Sequence, residues 1–220
     1  VPVHLVHWSV DHVRERCVGS SGRDDDAQAF IWVERAIDDP ALQATIARVD
    51  LADAARPYRS EVGPAVTALV TSLVERLRRG IAVFIDYGFG RAEFYHPQRR
   101  EGTLMCHYRQ HAHTDPFYRP GLQDITAHVD FTAVAEAAIG AGGRLAAYTT
   151  QAHFLIDAGI AALLARTPAE QTARYLPQAA AVQRLLSPGE MGELFKVMVI
   201  ARDCDLALPG LGGRDLSRLL

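Results

Sequence analysis

The chain has 220 residues, a formal net charge of −3 and 49% hydrophobic residues, which is an ordinary globular composition. This composition excludes disorder over the whole chain, and no apolar run reaches the roughly 18 residues that a membrane span needs. The small negative charge gives no reason to expect nucleic acid or an anionic membrane as a partner.

Cysteine usage and an arginine bias bear on where the protein works. Cys17, Cys106 and Cys204 lie far apart, which argues against a disulfide scaffold or a cysteine-based zinc site and favours free thiols in a reducing cytosol. The 22 Arg against a single Lys indicate a high-GC bacterium. We therefore expect a cytoplasmic protein, or a mitochondrial matrix protein if the source is eukaryotic. The chain starts at Val1 with no Met and no basic-then-apolar leader, so we expect that Val1 is not the natural start and that either a leader was removed or the chain is part of something longer.

The first part of the chain predicts a strand followed by a β-hairpin. Strand-like runs occur at residues 3–10, 13–18 and 30–35. The acidic triplet Asp24–Asp26 in the hairpin loop could hold a cation, but a solvated loop tip is the stronger interpretation. Residues 38–59 are polar and weakly periodic, with a short helix starting at Asp38-Asp39-Pro40.

An α/β unit follows. Apolar residues at three- and four-residue spacing predict a helix that begins at Pro64 and is stopped by Gly80. The apolar run Ile81–Gly88 does not alternate, which is typical of a strand buried on both faces in a parallel sheet. Ligands bind beyond the carboxyl ends of such strands, so Asp86 and Tyr87 are candidate site residues.

The rest of the chain alternates in the same way. Residues 89–123 predict a long substrate-side loop with a strand only at Thr103–Tyr108, and a loop of this length is usually functional. The later elements are predicted as a helix at 132–141 capped by Asp130, a strand at 144–150, helices at 151–165 (broken at Gly159) and 168–186 (interrupted at Pro177), a strand at 194–201 and a tail at 206–220. This order predicts an α/β fold with a mostly parallel sheet covered on both faces.

The strongest candidate site is the run from Gln123 to Phe131. Asp124, Thr126, His128 and Asp130 share a two-residue spacing, so an extended chain places them on one face. A histidine beside carboxylates can act as a general base or hold a substrate. An equally good interpretation is that the two aspartates cap a turn and a helix while His128 bonds to the backbone.

Two weaker candidates stand beside it. One is a group of residues whose side chains are of the types that bind zinc or iron, but whose spacing follows no metal motif: Cys106, His107, His111, His113 and Asp115. A loop that closes over a substrate is the better interpretation of this segment. The other is Thr149-Thr150-Gln151, where a strand ends and a helix begins; anions bind at such points, although an N-cap explains the residues as well. The sequence contains no GxGxxG loop, Walker motif or GxSxG elbow.

Five motifs occur in one order along the chain. They are Asp86-Tyr87-Gly88, Gly102-Thr103-Leu104, Tyr108-Arg109, the run from Pro120 to Phe131, and Thr149-Thr150-Gln151 with Phe154-Leu155. Together they resemble the MidA-like family of S-adenosylmethionine-dependent methyltransferases, whose mitochondrial members act as complex I assembly factors that methylate an arginine of a complex I subunit. The resemblance covers roughly residues 1–203.

The resemblance implies a class I, Rossmann-like methyltransferase domain with a mostly parallel seven-stranded sheet and a hairpin insertion at residues 8–36. The family's glycine-rich cofactor loop lies earlier than anything in this chain, so residues 1–205 look like the carboxyl-terminal half of one such domain. Cutting a sheet in this way exposes a strand edge. We therefore expect this half alone to be inactive, and to self-associate or to need its other half.

The resemblance also implies partners and residue roles. The cofactor is S-adenosyl-L-methionine, the partner is a protein substrate, and no metal is expected. The catalytic candidates, which include carboxylates to grip a guanidinium group and a ring to stack on it, are Asp86, Tyr87, Asp124, His128 and Asp130. The substrate-binding candidates are Gly88, Tyr108, Arg109, Thr126 and Gln151. The cofactor-binding candidates are Val1 and Pro2, because the start of the chain resembles the tail of a family segment at the end of the middle strand.

Two other functions stay open. The missing cofactor loop also fits a non-catalytic assembly module that binds a partner protein. The histidine-rich loop also fits a metal-dependent hydrolase, although less well.

Overall fold

The computed structural model of the chain describes residues 1–22, 30–204 and 215–220. They form two compact units, one of residues 1–67 and 91–128 and the other of residues 68–90 and 129–220. The predicted cation loop at Asp24–Asp26 and residues 206–214 of the predicted tail lie outside the described residues. Within the described ranges, none of the helices has the length and apolar character needed to cross a membrane.

The secondary structure alternates strands and helices along most of the chain. The strands are β1 (His4–Trp8), β2 (Val13–Ser20), β3 (Phe30–Arg35), β4 (Tyr58–Val62), β5 (Gly80–Phe89), β6 (Met105–Tyr108), β7 (His111–His113), β8 (Asp124–Thr126), β9 (Val129–Asp130), β10 (Arg144–Thr150) and β11 (Phe195–Arg202). The helices are α1 (Pro40–Ile46), α2 (Pro64–Arg76), α3 (Arg91–Phe94), α4 (Phe131–Gly140), α5 (Gln151–Asp157), α6 (Ile160–Leu164) and α7 (Thr172–Leu186), and a 3₁₀ turn spans Ser217–Leu219.

The first unit contains a four-stranded antiparallel sheet in the order β3-β2-β1-β4. The predicted hairpin is confirmed by the pairing of β2 with β3. The short helix α1 also begins where expected, because Asp39 accepts the N–H of Ala41 at 2.8 Å and Pro40 occupies the first helical position. Strand β4, in contrast, lies partly in residues 38–59, where the sequence pattern did not predict a strand.

Alternation gives this sheet two different faces. One face forms the core of the unit, with side chains that are at most 5% exposed: Val6, Trp8, Tyr58 and Val62. The other face carries Arg16 in β2 and Glu61 in β4, which both lie in register with Leu5 of β1. We call this second side the charged face.

Residues 91–128 carry more secondary structure than a loop. They form α3 and a small antiparallel sheet in the order β7-β6-β8. Strands β7 and β8, of three residues each, were not predicted, and the expected strand Thr103–Tyr108 is shortened to β6. Such short strands are stabilised by pairing with distant residues and carry no apolar alternation of their own.

The second unit contains a sheet in the order β10-β11-β5-β9. Strand β11 lies between β10 and β5 and is antiparallel to both, and β9 adds a two-residue parallel pair. The sheet is therefore mixed rather than mostly parallel, and seven strands are not seen among the described residues. The apolar sequence of β11 indicated burial correctly, but burial does not specify strand direction.

The two apolar strands of this sheet are buried to different degrees. Val197 to Ile200 in β11 have no accessible surface, as predicted. In β5, Val83 and Ile85 are 44% and 50% exposed, so the prediction that this strand is buried on both faces is wrong for this chain. Along the edge of β5 that faces away from β11, the described residues form only the short pairing with β9, at Gly88 and Phe89.

The helices of the second unit mostly follow the sequence signals. Helix α4 begins after Asp130, whose carboxylate accepts the N–H of Ala133 at 3.2 Å, and Gly159 separates α5 from α6. Two details differ. Helix α7 continues through Pro177 without interruption, and α2 ends at Arg76, so Gly80 opens β5 rather than capping the helix.

Candidate functional site

The carboxyl end of β5 carries the predicted sequence Asp86-Tyr87-Gly88. Gly88 pairs with Val129 and Phe89 pairs with Asp130. The segment Asp86–Gly88 and the residue Asp130 therefore lie at the same end of the sheet. A Cβ atom on Gly88 would lie 2.2 Å from the carbonyl oxygen of Val129. Glycine is therefore required for this close pairing, which gives Gly88 a packing role.

Asp86 and Tyr87 are neighbours in β5, and both are half-buried. The Oδ1 atom of Asp86 accepts the N–H of Tyr87 at 2.8 Å, and Lys196 lies opposite Asp86 in β11. Burial raises the pKa of Asp86, although the hydrogen bond from Tyr87 acts in the other direction. The ring of Tyr87 packs edge-on against Phe195 with centroids 5.3 Å apart. Because consecutive residues of a strand point to opposite faces of the sheet, the Asp86 carboxylate and the Tyr87 ring lie on opposite faces of β5.

The motif at the start of α5 has structural partners. Thr150 caps this helix by accepting the N–H of His153 at 3.3 Å, and its hydroxyl lies 2.9 Å from Nδ1 of the same histidine. Gln151 is 6% exposed and donates from Nε2 to the carbonyl oxygen of Leu185 at 3.0 Å. These contacts favour the capping interpretation of the motif over anion binding.

The first unit holds the other residues of the strongest candidate run. Asp124 is exposed in β8 opposite His107, and the hydroxyl of Thr126 donates to the carbonyl oxygen of Met105 at 3.3 Å. The backbone N–H of His128 donates to the hydroxyl of Thr103 at 3.0 Å. Since β8 and β9 belong to different sheets, the expected common face for Asp124, Thr126, His128 and Asp130 is not shown.

A buried carboxylate that the sequence did not single out holds the loop before β6. Glu61 is 2% exposed and accepts the hydroxyl of Thr103 and the N–H of Leu104, both at 2.9 Å. Gly102 has φ +76°, and a Cβ atom there would lie 2.5 Å from Oε1 of Glu61. The motif Gly102-Thr103-Leu104 therefore surrounds and hydrogen bonds this carboxylate. The hydroxyl of Thr103 also links the Glu61 carboxylate to the backbone of His128.

Tyr108 and Arg109 lie at the turn between β6 and β7. The Cζ atoms of Arg109 and Arg119 lie 5.3 Å and 5.2 Å from the ring centroid of Tyr108, and Arg119 also donates to its hydroxyl at 3.1 Å. The hydroxyl groups of Tyr108 and Tyr118 raise the pKa of Arg119. Arg109 and Gln110 have φ +48° and +68°, as a two-residue type I′ hairpin turn requires.

The histidines of this hairpin do not converge. Cys106 pairs with His113 and Tyr108 pairs with His111, whereas His107 pairs with Ala112 and so occupies the opposite face. Among the residues that the structure describes, no group of three or more His, Cys, Asp or Glu is placed to hold a metal ion. The metal-ligand interpretation of this segment, which includes Asp115, is therefore not supported.

Val1 and Pro2, the residues expected to border the cofactor, lie at the surface. Val1 is 68% exposed, Pro2 is also exposed, and both precede β1. Neither residue lines the cavities of about 320 and 400 Å³ that the structure describes in the first unit. The cofactor role of Val1 and Pro2 therefore stays a prediction.

Comparison with known proteins gives a family model and several similar structures, two of which follow. A family model described as "Putative S-adenosyl-L-methionine-dependent methyltransferase" matches residues 1–149. Two structures from Burkholderia thailandensis match the whole chain at 46% identity and a TM-score of 0.90. One is the native form of an uncharacterized COG1565 superfamily protein, and the other is a superfamily member, described as a "likely methyl transferase", bound to S-adenosyl-homocysteine. The chain spans 57% and 55% of their lengths. No curated protein matches it.

Proposed function

The chain belongs to the S-adenosyl-L-methionine-dependent methyltransferase family whose model matches residues 1–149, and from this premise we propose that it is part of an enzyme that methylates a protein arginine side chain. The observation that carries the proposal is the match of the whole chain, at 46% identity, to a structure bound to S-adenosyl-homocysteine. The resemblance to the MidA-like family supports the finer statement that the substrate is a respiratory complex I subunit or a similar protein.

The proposal assigns the cofactor site to residues outside this chain. S-adenosyl-L-methionine supplies the methyl group on a sulfonium sulfur, and the matched structures extend well beyond the region that this chain covers. We infer that this further part carries the cofactor loop and packs on the face of β5 that exposes Val83 and Ile85. Both units then belong to one methyltransferase domain, and the chain alone is inactive.

Within that enzyme the chain binds the substrate. Asp86, Asp124 and Asp130 are the proposed carboxylates for the guanidinium group, because fixed negative groups stabilise a bound cation. Tyr87 is the proposed stacking partner, which adds about 0.5–2 kcal/mol where a cation lies over a ring. The nitrogen that gains a methyl group must lose one proton, and His128 is proposed either to accept it or to orient a carboxylate. Flanking substrate residues contact the positions named from the resemblance: Gly88, Thr126, Tyr108, Arg109 and Gln151.

Two measurements test the proposal. Calorimetric titration of S-adenosylhomocysteine into the protein expressed from its true start codon is expected to show micromolar binding. A folded protein that does not bind it contradicts the methyltransferase proposal and favours the partner-binding assembly module.

The residue roles are tested by methyl transfer in the same protein. Asp124→Asn and His128→Ala are expected to lower the rate strongly while the fold and S-adenosylhomocysteine binding persist. Asp11→Asn, which removes an exposed carboxylate from the turn after β1, is the control and is expected to act at the wild-type rate. Wild-type rates in the first two variants would contradict their roles without affecting the cofactor assignment.

A further inference from the structure

A cavity of about 320 Å³ lies on the charged face of the four-stranded sheet in the first unit. Its lining includes Arg16 from β2, Trp32 from β3 and Arg59 from β4, and Leu104 belongs to the loop that Glu61 holds. Cavities of this size lie at the small end of ligand pockets, which start at about 300 Å³. A ligand of the size of one amino-acid side chain and its backbone fits this volume.

The guanidinium group of Arg16 is held in place but not hydrogen bonded. Its Cζ atom lies 4.3 Å from the ring centroid of Trp32, whose ring packs in turn against Phe117 with centroids 4.8 Å apart. The Arg16 N–H groups make no hydrogen bond or ion pair with any residue in the described ranges. Arginine offers five donors in a planar fork, so this group has its hydrogen-bonding capacity available for a ligand.

The carboxylates around Arg16 are occupied by other partners. Glu34 lies directly opposite Arg16 in the sheet, but its Oε1 atom is 2.5 Å from Nδ1 of His7, and this hydrogen bond lowers the pKa of Glu34. Glu101 forms an ion pair with Arg59 at 3.1 Å. The chain therefore surrounds Arg16 with acidic groups and leaves each of them engaged elsewhere.

Glu61, the third carboxylate of this face, is also engaged, by Thr103 and Leu104. A second guanidinium group, that of Arg59, lines the same cavity. Burial and the charge of Arg59 both lower the pKa of Arg16. A negative group placed between the two guanidinium groups would remove this repulsion.

We propose that this cavity binds a carboxylate group of a ligand, with Arg16 as its bidentate partner and Trp32 fixing the orientation of Arg16. Two arginines and two glutamates line the cavity, so its formal charges cancel, which favours a singly charged carboxylate over a doubly charged phosphate. Arginine and carboxylate also match in geometry through two parallel hydrogen bonds. The carboxylate comes from an acidic side chain of a polypeptide or from a free small acid. This site is independent of the proposed methyl transfer.

Calorimetric titration of the full-length protein with four probes tests the site. The probes are N-acetyl-glutamate N-methylamide, its neutral glutamine analogue, butyrate and inorganic phosphate. We expect the glutamate probe to bind about tenfold or more tightly than the glutamine probe, as charge-assisted hydrogen bonds imply. A glutamate probe that binds more tightly than butyrate indicates a polypeptide source, and the reverse indicates a free acid. Tighter binding of phosphate, equal binding of the neutral probe, or no binding at millimolar concentration overturns the proposal.

Variants of one strand provide the matched control. Arg16→Gln is expected to weaken binding of the glutamate probe about tenfold, and Arg16→Lys, which keeps the charge but loses the fork, by several-fold. Arg14→Gln removes an exposed arginine two residues earlier that does not line this cavity, and it is expected to leave binding unchanged. Equal losses in Arg14→Gln and Arg16→Gln would overturn the site. Arg16→Lys serves as the test on its own if Arg16→Gln does not fold.

Discussion

Glu61 and Thr103 are joined by hydrogen bonds although they lie 42 residues apart in sequence. The N–H of Thr103 lies 3.0 and 2.9 Å from the two carboxylate oxygens, and its hydroxyl lies 2.9 Å from one of them. The carboxylate is almost fully buried, and a buried charge without donors is costly. These contacts therefore hold the loop before β6 against β4.

Glu61→Gln is expected to destabilise the protein. The amide keeps the size of the side chain but replaces one acceptor oxygen by an NH₂ group that faces other donors. We expect the free energy of unfolding to fall by about 2–3 kcal/mol in urea denaturation. Glu101→Gln is the control, because that side chain is 78% exposed and a surface ion pair contributes about 1 kcal/mol or less. Equal losses in the two variants would show that the buried contacts add nothing.

Thr103→Val tests the connection between Glu61 and His128. Valine has the shape of threonine but no hydroxyl, so it loses the hydroxyl bond to Glu61 and the acceptor for the N–H of His128, while the backbone N–H bonds to Glu61 remain. We expect unfolding to require about 1–2 kcal/mol less and the amide proton of His128 to exchange faster with solvent. Thr103→Ser keeps the hydroxyl and is expected to retain slow exchange. Fast exchange in the serine variant would contradict the connection.

Gly88→Ala is expected to disturb the junction of β5 and β9. The new methyl group would lie 2.2 Å from the carbonyl oxygen and 2.9 Å from the nitrogen of Val129, so the strands must separate. Overpacking of this kind costs about 1–3 kcal/mol, measurable by thermal or urea unfolding. Gly140→Ala is the matched change at the end of α4, where no atom lies within 4 Å of the new group. It is expected to stabilise the helix, and a loss there as large as at Gly88 would refute the steric argument.

The features that the sequence predicted correctly depend on neighbouring residues. Asp130 and Asp39 indicate where α4 and α1 begin, because a capping carboxylate accepts a backbone N–H two or three residues further along the chain. The buried β11 was evident from its unbroken apolar run. The position of Asp86 and Tyr87 at the carboxyl end of β5 followed from the rule for strand ends.

The features that it missed depend on distant partners. Glu61 looks like a surface residue in the sequence. Its burial is stable because the loop 42 residues away donates hydrogen bonds to its carboxylate. The short strands β7 and β8 exist because each pairs with β6. Arg16 and Trp32 carry no motif, since they meet through cross-strand neighbours of the charged face. The alternation of Tyr58, Ser60 and Val62 was the one local signal that could have identified β4.

Asp86 and Asp215 are expected to give opposite pH dependences of stability. Burial raises the pKa of Asp86, so the folded state binds more protons than the unfolded state, and stability falls as the pH rises through that raised pKa. The hydroxyl of Ser217 lowers the pKa of Asp215, so its contribution is present above the ordinary aspartate value of about 3.9 and is lost as the pH falls through the lowered pKa. Carboxyl-carbon NMR titration gives both values. Urea unfolding of Asp86→Asn and Asp215→Asn against wild type gives the slopes, and slopes of the same sign would contradict the assignment.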